Sequence, residues 1–374
     1  MPWYLGIEIG GTKLQIAVGR GEGEPYRAFW RGAIDASAQA ARIQQQIPQG
    51  IDELLARARI SRRQIAGVAI GFGGPVDTAR GKIVTSHQVA GWDDFAIVNW
   101  FDVNFGWPAV LHNDADTAAF AEASFGAGKG FDPVLYVTVG SGIGGGLVSG
   151  GQIFRGSGAG AMEIGHLRPG HAPRRVSSAG VSVESIASGF GIEDRARRTI
   201  AEWEEASVVV ESRFGAPNSP RDLAISPEQT AGRAFPERFA TLMKLAGSKC
   251  DRITTRLIGE AARQGDRLSR ELLSDATDTL GWALAQTITL INPARIVIGG
   301  GVSLIGQELF FEPVRKACQA EVFQPFAQIA DIVPAALGEE VVVHGALALA
   351  RAAFHREPHL RPFIPEDEPL TPEG

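Results

Sequence analysis

Two glycine-rich turns and one carboxylate carry the residue types that phosphate chemistry needs. Gly10-Gly11-Thr12-Lys13 follows the alternating apolar residues Leu5, Ile7 and Ile9, and alternation resumes at Leu14, Ile16 and Val18. Gly140-Ser141-Gly142-Ile143-Gly144-Gly145-Gly146 stands likewise between Val134–Val139 and Leu147-Val148. Each reads as a strand, a tight turn and a second strand. Turn N–H groups of this kind can face a phosphate chain, and Lys13, Thr12 and Ser141 add side-chain donors. Gly299-Gly300-Gly301 follows a third apolar run, Ile296-Val297-Ile298. Asp114 lies just past a buried strand ending at His112-Asn113, where a carboxylate could take a proton from an attacking hydroxyl. Competing readings stay open: plain tight turns for the glycines, and a helix cap for Asp114. Gly140-Ser-Gly142-Ile-Gly144-Gly145 matches GxGxxG in form, but a strand follows where a dinucleotide fold needs a helix. No GxxxxGK[ST] loop occurs.

The elements that position these residues alternate between strand and helix, which predicts an α/β protein. Helical spacing runs from Ala36 to Arg59, with Pro48 expected to break or begin a helix there. Ile65–Ile70 reads as a strand, Asp116–Phe125 as a helix stopped by Gly126, and Ile253–Ile291 as a long helical region closed by Asn292-Pro293. Glu340–Ala353 reads as a strand turning into a helix, and Ile192–Ser248 as irregular. The repeated hairpin pattern suggests two related halves.

At 374 residues the chain exceeds what one core usually supports, so two domains are expected. The expected boundaries are 1–114, joined by a C-terminal helix at 344–356, and 115–343 with an insert near 193–248. A tail at 357–374, rich in proline and acid, is expected to be disordered. The net charge of −6 disfavours nonspecific attraction to nucleic acid or anionic membrane. Two distant cysteines, Cys250 and Cys318, argue against a disulfide framework. The start of the chain lacks a leader pattern and no apolar run is long enough to span a bilayer, so a cytoplasmic location is expected.

In order, the pieces GIEIGGTK, GFGGPVD, Gly91-Trp92, HNDADTAAFAE, VTVGSGIGGGLV, GSGAGAMEIGH, ESIASG, NPARIVIGGG and HGALALA resemble the ROK family of bacterial glucokinases, related hexose and hexosamine kinases, and sugar-responsive repressors. The resemblance covers Leu5 to about Ala353. It implies two actin-like (ribonuclease H-like) domains with ATP and sugar meeting in the cleft between them. It implies Asp114 as the catalytic base. Gly10, Gly11, Thr12 and Lys13 would meet the terminal phosphates from one side, Gly140, Ser141 and Gly142 from the other, and Gly300 would lie near the adenosine. Gly74, Asn113, Glu163, His166 and Glu184 would line the sugar. The spacing of Glu163 and His166 also fits two ligands on one turn. Mg²⁺ would ride on the phosphates, with Glu8 acting through water.

Three departures from the family pattern stand out. Its zinc cysteines correspond to Arg175, Ser177 and Ser182, so no zinc site is expected. Glu8 stands where Asp is usual. Gly73 replaces a usual proline, which is expected to loosen the loop lining the sugar. His87, His112 and His171 are expected to be structural or exposed. The expected activity is transfer of the ATP γ-phosphate to a hexose hydroxyl, the 6-position, by a homodimer that binds neither nucleic acid nor membrane. The alternatives are a DNA-binding regulator, for which the segment before Gly6 leaves no room, and a non-catalytic sugar sensor.

Overall fold

The computed structural model describes residues 2–23, 25–34, 39–86, 88–157, 160–169, 181–214, 236–327 and 331–355. His87, His171, Arg175, Ser177, the middle of the expected insert and the tail lie outside the described residues.

The N-terminal alternation becomes the antiparallel pair β1 (Trp3–Ile9) and β2 (Lys13–Gly19), and β3 (Ala28–Ala33) pairs with β2. Helix α1 (Ala40–Ala58) leads to β4 (Ile65–Phe72), which lies parallel to β1. A small ribbon, β5 (Val76–Asp77) with β6 (Lys82–Ile83), and α2 (Ile97–Phe105) precede β7 (Ala109–Asn113), which is parallel to β4. The sheet order is β3-β2-β1-β4-β7.

Helix α3 (Asp114–Phe125) then leads to β8 (Val134–Val139), β9 (Ile143–Ser149) and β10 (Gln152–Phe154). After them come α4 (Val183–Ala187), α5 (Gly189–Phe214), α6 (Ala240–Leu245), α7 (Thr255–Arg263) and α8 (Arg267–Ile291). Strand β11 (Arg295–Gly299), α9 (Glu312–Glu321), β12 (Ile332–Pro334) and α10 (Val341–Phe354) complete the described chain. The second sheet runs β10-β9-β8-β11-β12. Its two antiparallel and two parallel pairings repeat those of the first sheet position for position. The two halves expected from the hairpins are therefore the same sheet built twice.

The period-2 pattern of the strands explains the layers. Leu5, Ile7 and Ile9 of β1 face the cluster that holds Ile43, Ile47, Ile51 and Leu54 of α1. Tyr4, Ala17 and Ala69 face the other way, onto Val343, Ala346, Leu347 and Ala350 of α10. In the second sheet Leu135, Val137 and Val139 pack with Leu280, Leu284 and Ile288 of α8. Val134 and Tyr136 pack on Ala118, Ala119 and Ala121 of α3. So α3 leaves the first sheet and covers the second, while α10 leaves the second sheet and covers the first. The two helices also pack on each other. Gly345 permits that crossing, because a β-carbon there would overlap the Thr117 carbonyl oxygen.

Several local expectations need correction. Pro48 lies inside α1 without ending it. The buried face of Ile43, Ile47, Ile51 and Leu54 holds the helix on the sheet despite the missing N–H. Residues 341–343, three valines in a row, form the first turn of α10 rather than a strand. Burial against α3 and the first sheet overrides their β preference. Much of the segment expected to be irregular is the helix α5, whose Ile192, Ala196 and Ile200 are fully buried. The region 253–291 is two helices, parted at Gly265 with φ +94°. Among the described residues no helix is long and apolar enough to cross a membrane.

Candidate active site

The β7–α3 junction places the carboxylate. Asn113, not Asp114, is the N-cap of α3: its Oδ1 accepts from Ala115 N–H at 2.8 Å and Asp116 N–H at 3.3 Å. Its Nδ2 donates to the Gly74 carbonyl at 3.1 Å. That amide keeps one N–H for any ligand, so most of Asn113 is committed to holding the junction. Asp114 becomes the first helical residue. Its Oδ1 accepts from Ala115 N–H at 2.8 Å.

The other oxygen of Asp114 points at the first glycine turn. A β-carbon on Gly73 would lie 3.3 Å from Asp114 Oδ2 and 3.5 Å from Gly10 Cα. Gly73 is thus the spacer between carboxylate and turn. Where proline is usual, Gly73 keeps a backbone N–H. Its N–H donates to the Ile9 carbonyl at 2.9 Å, a bond that proline cannot make. Gly73→Pro is expected to cost about 1–3 kcal/mol through the unpaired Ile9 carbonyl. An unchanged urea midpoint would contradict this account.

At the first turn, Gly10 N–H donates to the Lys13 carbonyl at 3.0 Å, which closes the hairpin. Lys13 Nζ lies 3.3 Å from Glu8 Oε1 and donates to the Glu339 carbonyl at 3.1 Å. Glu8 is buried at 6% exposure. With its amide nitrogen turned toward Glu8, Gln15 donates to Glu8 Oε2 at 2.8 Å and accepts from Arg31 Nε at 2.9 Å. Arg31 also pairs with Glu339 at 3.1 Å. Gln15, Arg31 and Glu339 were not singled out in the sequence. Alternation put Gln15 and Glu8 on one face, opposite Leu14 and Ile16, and that was the available signal. The side chain of Gln88 rests on Gly11, where a β-carbon would overlap its Oε1.

The second glycine turn is held from behind. Gly140 N–H donates to the Gly142 carbonyl at 2.9 Å, and Gly189 N–H to the Gly140 carbonyl at 2.7 Å. Glu184 Oε2 accepts from Ile143 N–H at 2.7 Å, so one of its oxygens fixes this turn, and the other has no hydrogen bond among the described residues. The Ser141 carbonyl accepts from Phe190 N–H at 3.3 Å, which leaves its hydroxyl unused by that contact. Gly300, with φ +88°, lies against the end of β8, where a β-carbon would come 2.5 Å from Val139 backbone atoms. The third glycine cluster therefore abuts the second. Ser182 at a zinc-cysteine position caps α4, accepting from Ser185 N–H at 3.2 Å.

Glu163 and His166 occupy one short helical turn, in which His166 N–H donates to the Glu163 carbonyl at 3.0 Å. Both side chains are exposed. Glu163 is near enough to Asp114 to act on its charge. Burial pushes the Asp114 carboxyl up to about 6, the Ala115 N–H opposes that, Glu163 adds to it and Lys13 opposes it. Glu8 is pushed up to about 7 by burial, with Lys13 opposing and Asp114 adding. The structure thus brings Glu8, the turn at Gly10–Lys13, Gly73 and Asp114 together, with Glu163 within electrostatic range. Thr12 lies in that first turn, and its carbonyl accepts from Ile34 N–H at 2.9 Å.

Two glycine hairpins from two copies of one sheet, with a carboxylate at the helix that joins them, define an actin-like architecture. The ROK family model matches residues 4–353, and the chain belongs to the ROK family. The glucokinase of Streptomyces coelicolor is 29% identical over 355 residues, which are 93% of this chain and 97% of that protein. The crystal structure of a ROK family glucokinase from Streptomyces griseus in complex with glucose and AMPPNP superposes with a TM-score of 0.71 at 27% identity, covering 93% of this chain and 99% of that one. A ROK family transcriptional regulator, a homologue of the E. coli MLC protein, shares the fold at 21% identity and a TM-score of 0.68, covering 93% of this chain and 77% of that one.

Proposed function

We propose that this chain is an ATP-dependent sugar kinase that transfers the γ-phosphate to a hexose hydroxyl, the 6-hydroxyl, with Asp114 as base. The observation that carries the reading is Asp114 Oδ2, free of its own helix and set across Gly73 from the Gly10 turn. The glucokinase relatives and the glucose–AMPPNP complex support sugar and ATP as the ligands.

Phosphoryl transfer asks the protein for position and charge rather than covalent chemistry. In this reading Gly10, Gly11, Thr12 and Lys13 hold the terminal phosphates from the first hairpin. Gly140, Ser141 and Gly142 hold them from the second, and Gly300 lies on the adenosine side. Gly74, Asn113, Glu163, His166 and the free oxygen of Glu184 order the sugar. Asp114 removes the hydroxyl proton as the oxygen attacks the γ-phosphorus.

Glu8 fits an outer role toward Mg²⁺. Both its oxygens already take a donor, Lys13 and Gln15, and their remaining lone pairs can accept from a metal-bound water. When bound, Mg²⁺ supplies charge neutralisation on the phosphates. The reading also includes a cytoplasmic homodimer.

The test is ADP release with ATP and Mg²⁺ against a panel of hexoses and acylated amino sugars. Turnover with one of them names the substrate. Sugar binding by calorimetry with no ADP release would replace the kinase with a non-catalytic sensor.

A pH prediction follows from Asp114. A carboxyl raised to about 6 is the working base only above that pH. The kcat/KM profile is therefore expected to fall about tenfold per pH unit below about pH 6. An acid limb near pH 4 would mean that Asp114 is not desolvated as described.

A further inference from the structure

Beside the first glycine turn, hydrogen bonds close a ring. Glu8 of β1 stands opposite Gln15 of β2, and Gln15 stands opposite Arg31 of β3. The three form one row across the strands, on the same sheet face as Tyr4 and Ala17. Glu339, in the Gly338–Glu340 turn before α10, and Lys13 complete the circuit. Lys13 Nζ meets Glu8 Oε1 at 3.3 Å. Glu8 Oε2 accepts from the Gln15 amide at 2.8 Å, and the Gln15 oxygen accepts from Arg31 Nε at 2.9 Å and Nη2 at 2.6 Å. That Nη2 lies 3.1 Å from Glu339 Oε2, and the Glu339 carbonyl accepts from Lys13 Nζ at 3.1 Å.

The neighbours dictate how the amide of Gln15 lies. A carboxylate only accepts and a guanidinium only donates, so the nitrogen faces Glu8 and the oxygen faces Arg31. Gln15 is fully buried and Glu8 nearly so. Neither can turn to water for a partner, so each depends on the ring. An ammonium has three donors. The ring takes two of those on Lys13 and leaves the third for a ligand. The carboxylate oxygen that Lys13 touches lies beside the turn, since a β-carbon on Gly10 would be 3.9 Å from Glu8 Oε1.

We propose that Gln15, Arg31 and Glu339 are positioning residues for the nucleotide: they hold the Lys13 ammonium in place for the terminal phosphates of ATP. The inference rests on the kinase reading for what Lys13 meets, but not for the ring itself. A lysine on its flexible four-carbon stem must otherwise be ordered when the phosphate binds, at a cost in affinity. Here that ordering takes place on folding.

The experiment is calorimetric binding of ATP with Mg²⁺, and of AMP, to the full-length protein without sugar. In Arg31→Met the Kd for ATP is expected to rise about three- to tenfold. The Kd for AMP, which lacks the terminal phosphates, is expected to stay unchanged. General loosening of the fold would weaken both alike. Arg31→Lys keeps the charge but not the planar fork, so it should not restore ATP affinity. Glu339→Ala separates the ring from simple charge. Removing an acid should tighten ATP binding if only the field matters, whereas opening the ring should weaken it about twofold or more. The Arg31 and Glu339 side chains are 43% and 68% exposed, so these variants are expected to fold. Equal changes for ATP and AMP in Arg31→Met overturn the proposal, as does unchanged ATP affinity there or tighter ATP binding in Glu339→Ala. Trace labelling with acetic anhydride, read by mass spectrometry, tests the ring with no ligand present. Labelling of Lys13 relative to Lys129 is expected to rise about twofold or more in Arg31→Met, because the ammonium is set free. Equal labelling in wild type and variant overturns the ring. Absence of ATP binding in the wild type would sink the kinase reading, and the labelling would still decide whether the ring holds Lys13.

Discussion

Asp114→Asn is expected to lower kcat by about three orders of magnitude while leaving the fold intact. The amide keeps the size of the side chain and can still accept from the Ala115 N–H through its oxygen. What it loses is the ability to take the hydroxyl proton. The helix start does not depend on residue 114, because Asn113 carries the cap. Thermal midpoints of the two proteins should therefore agree closely, and KM for sugar should change much less than kcat. ADP release with the preferred sugar and a melting curve decide the matter. Near-normal turnover would remove Asp114 from the mechanism. A large loss of stability would mean that it belongs to the helix and not to the chemistry.

The second large effect is on stability. Gly345→Ala should destabilise the protein by about 2–3 kcal/mol. Alanine in a helix ordinarily gains about 1 kcal/mol over glycine. Here the added methyl overlaps the Thr117 carbonyl oxygen, a backbone atom that cannot swing aside. Overpacking outweighs propensity, so the sign reverses. Gly301→Ala is the control, since a β-carbon there meets nothing within 4 Å. Urea unfolding of both variants gives the comparison. If Gly345→Ala were as stable as wild type, the two helices would not cross as closely as described.

The hairpins and their glycine turns were legible because strand alternation and turn chemistry are local properties. Leu5, Ile7 and Ile9 announce β1 from within the strand itself. The doubled sheet was legible for the same reason, since the pattern occurs twice. What failed was local preference overruled from a distance. Val341–Val343 favour a strand until α3 and the first sheet bury them as a helix. Pro48 weakens α1, but the apolar face of the helix holds it. At the site, Asp114 and the glycines announced themselves, whereas Gln15, Arg31 and Glu339 did not. The contact of Arg31 with Glu339 joins residues far apart in the chain, and nothing near either residue marks it. Asn113 was legible as a polar residue beside the base. That its amide would be spent on the helix cap and on Gly74 depends on where the loop after β4 returns.

The exchange of helices has a consequence for the chain as it leaves the ribosome. The first sheet is complete once β7 has emerged, yet one of its faces stays bare. Tyr4, Ala17 and Ala69 wait for Val343, Leu347 and Ala350, which are nearly the last described residues to be made. The first sheet cannot be covered on both faces until α10 has been made, after the whole second sheet. Until then the nascent protein carries an open apolar surface, the kind of surface that holdase chaperones cover.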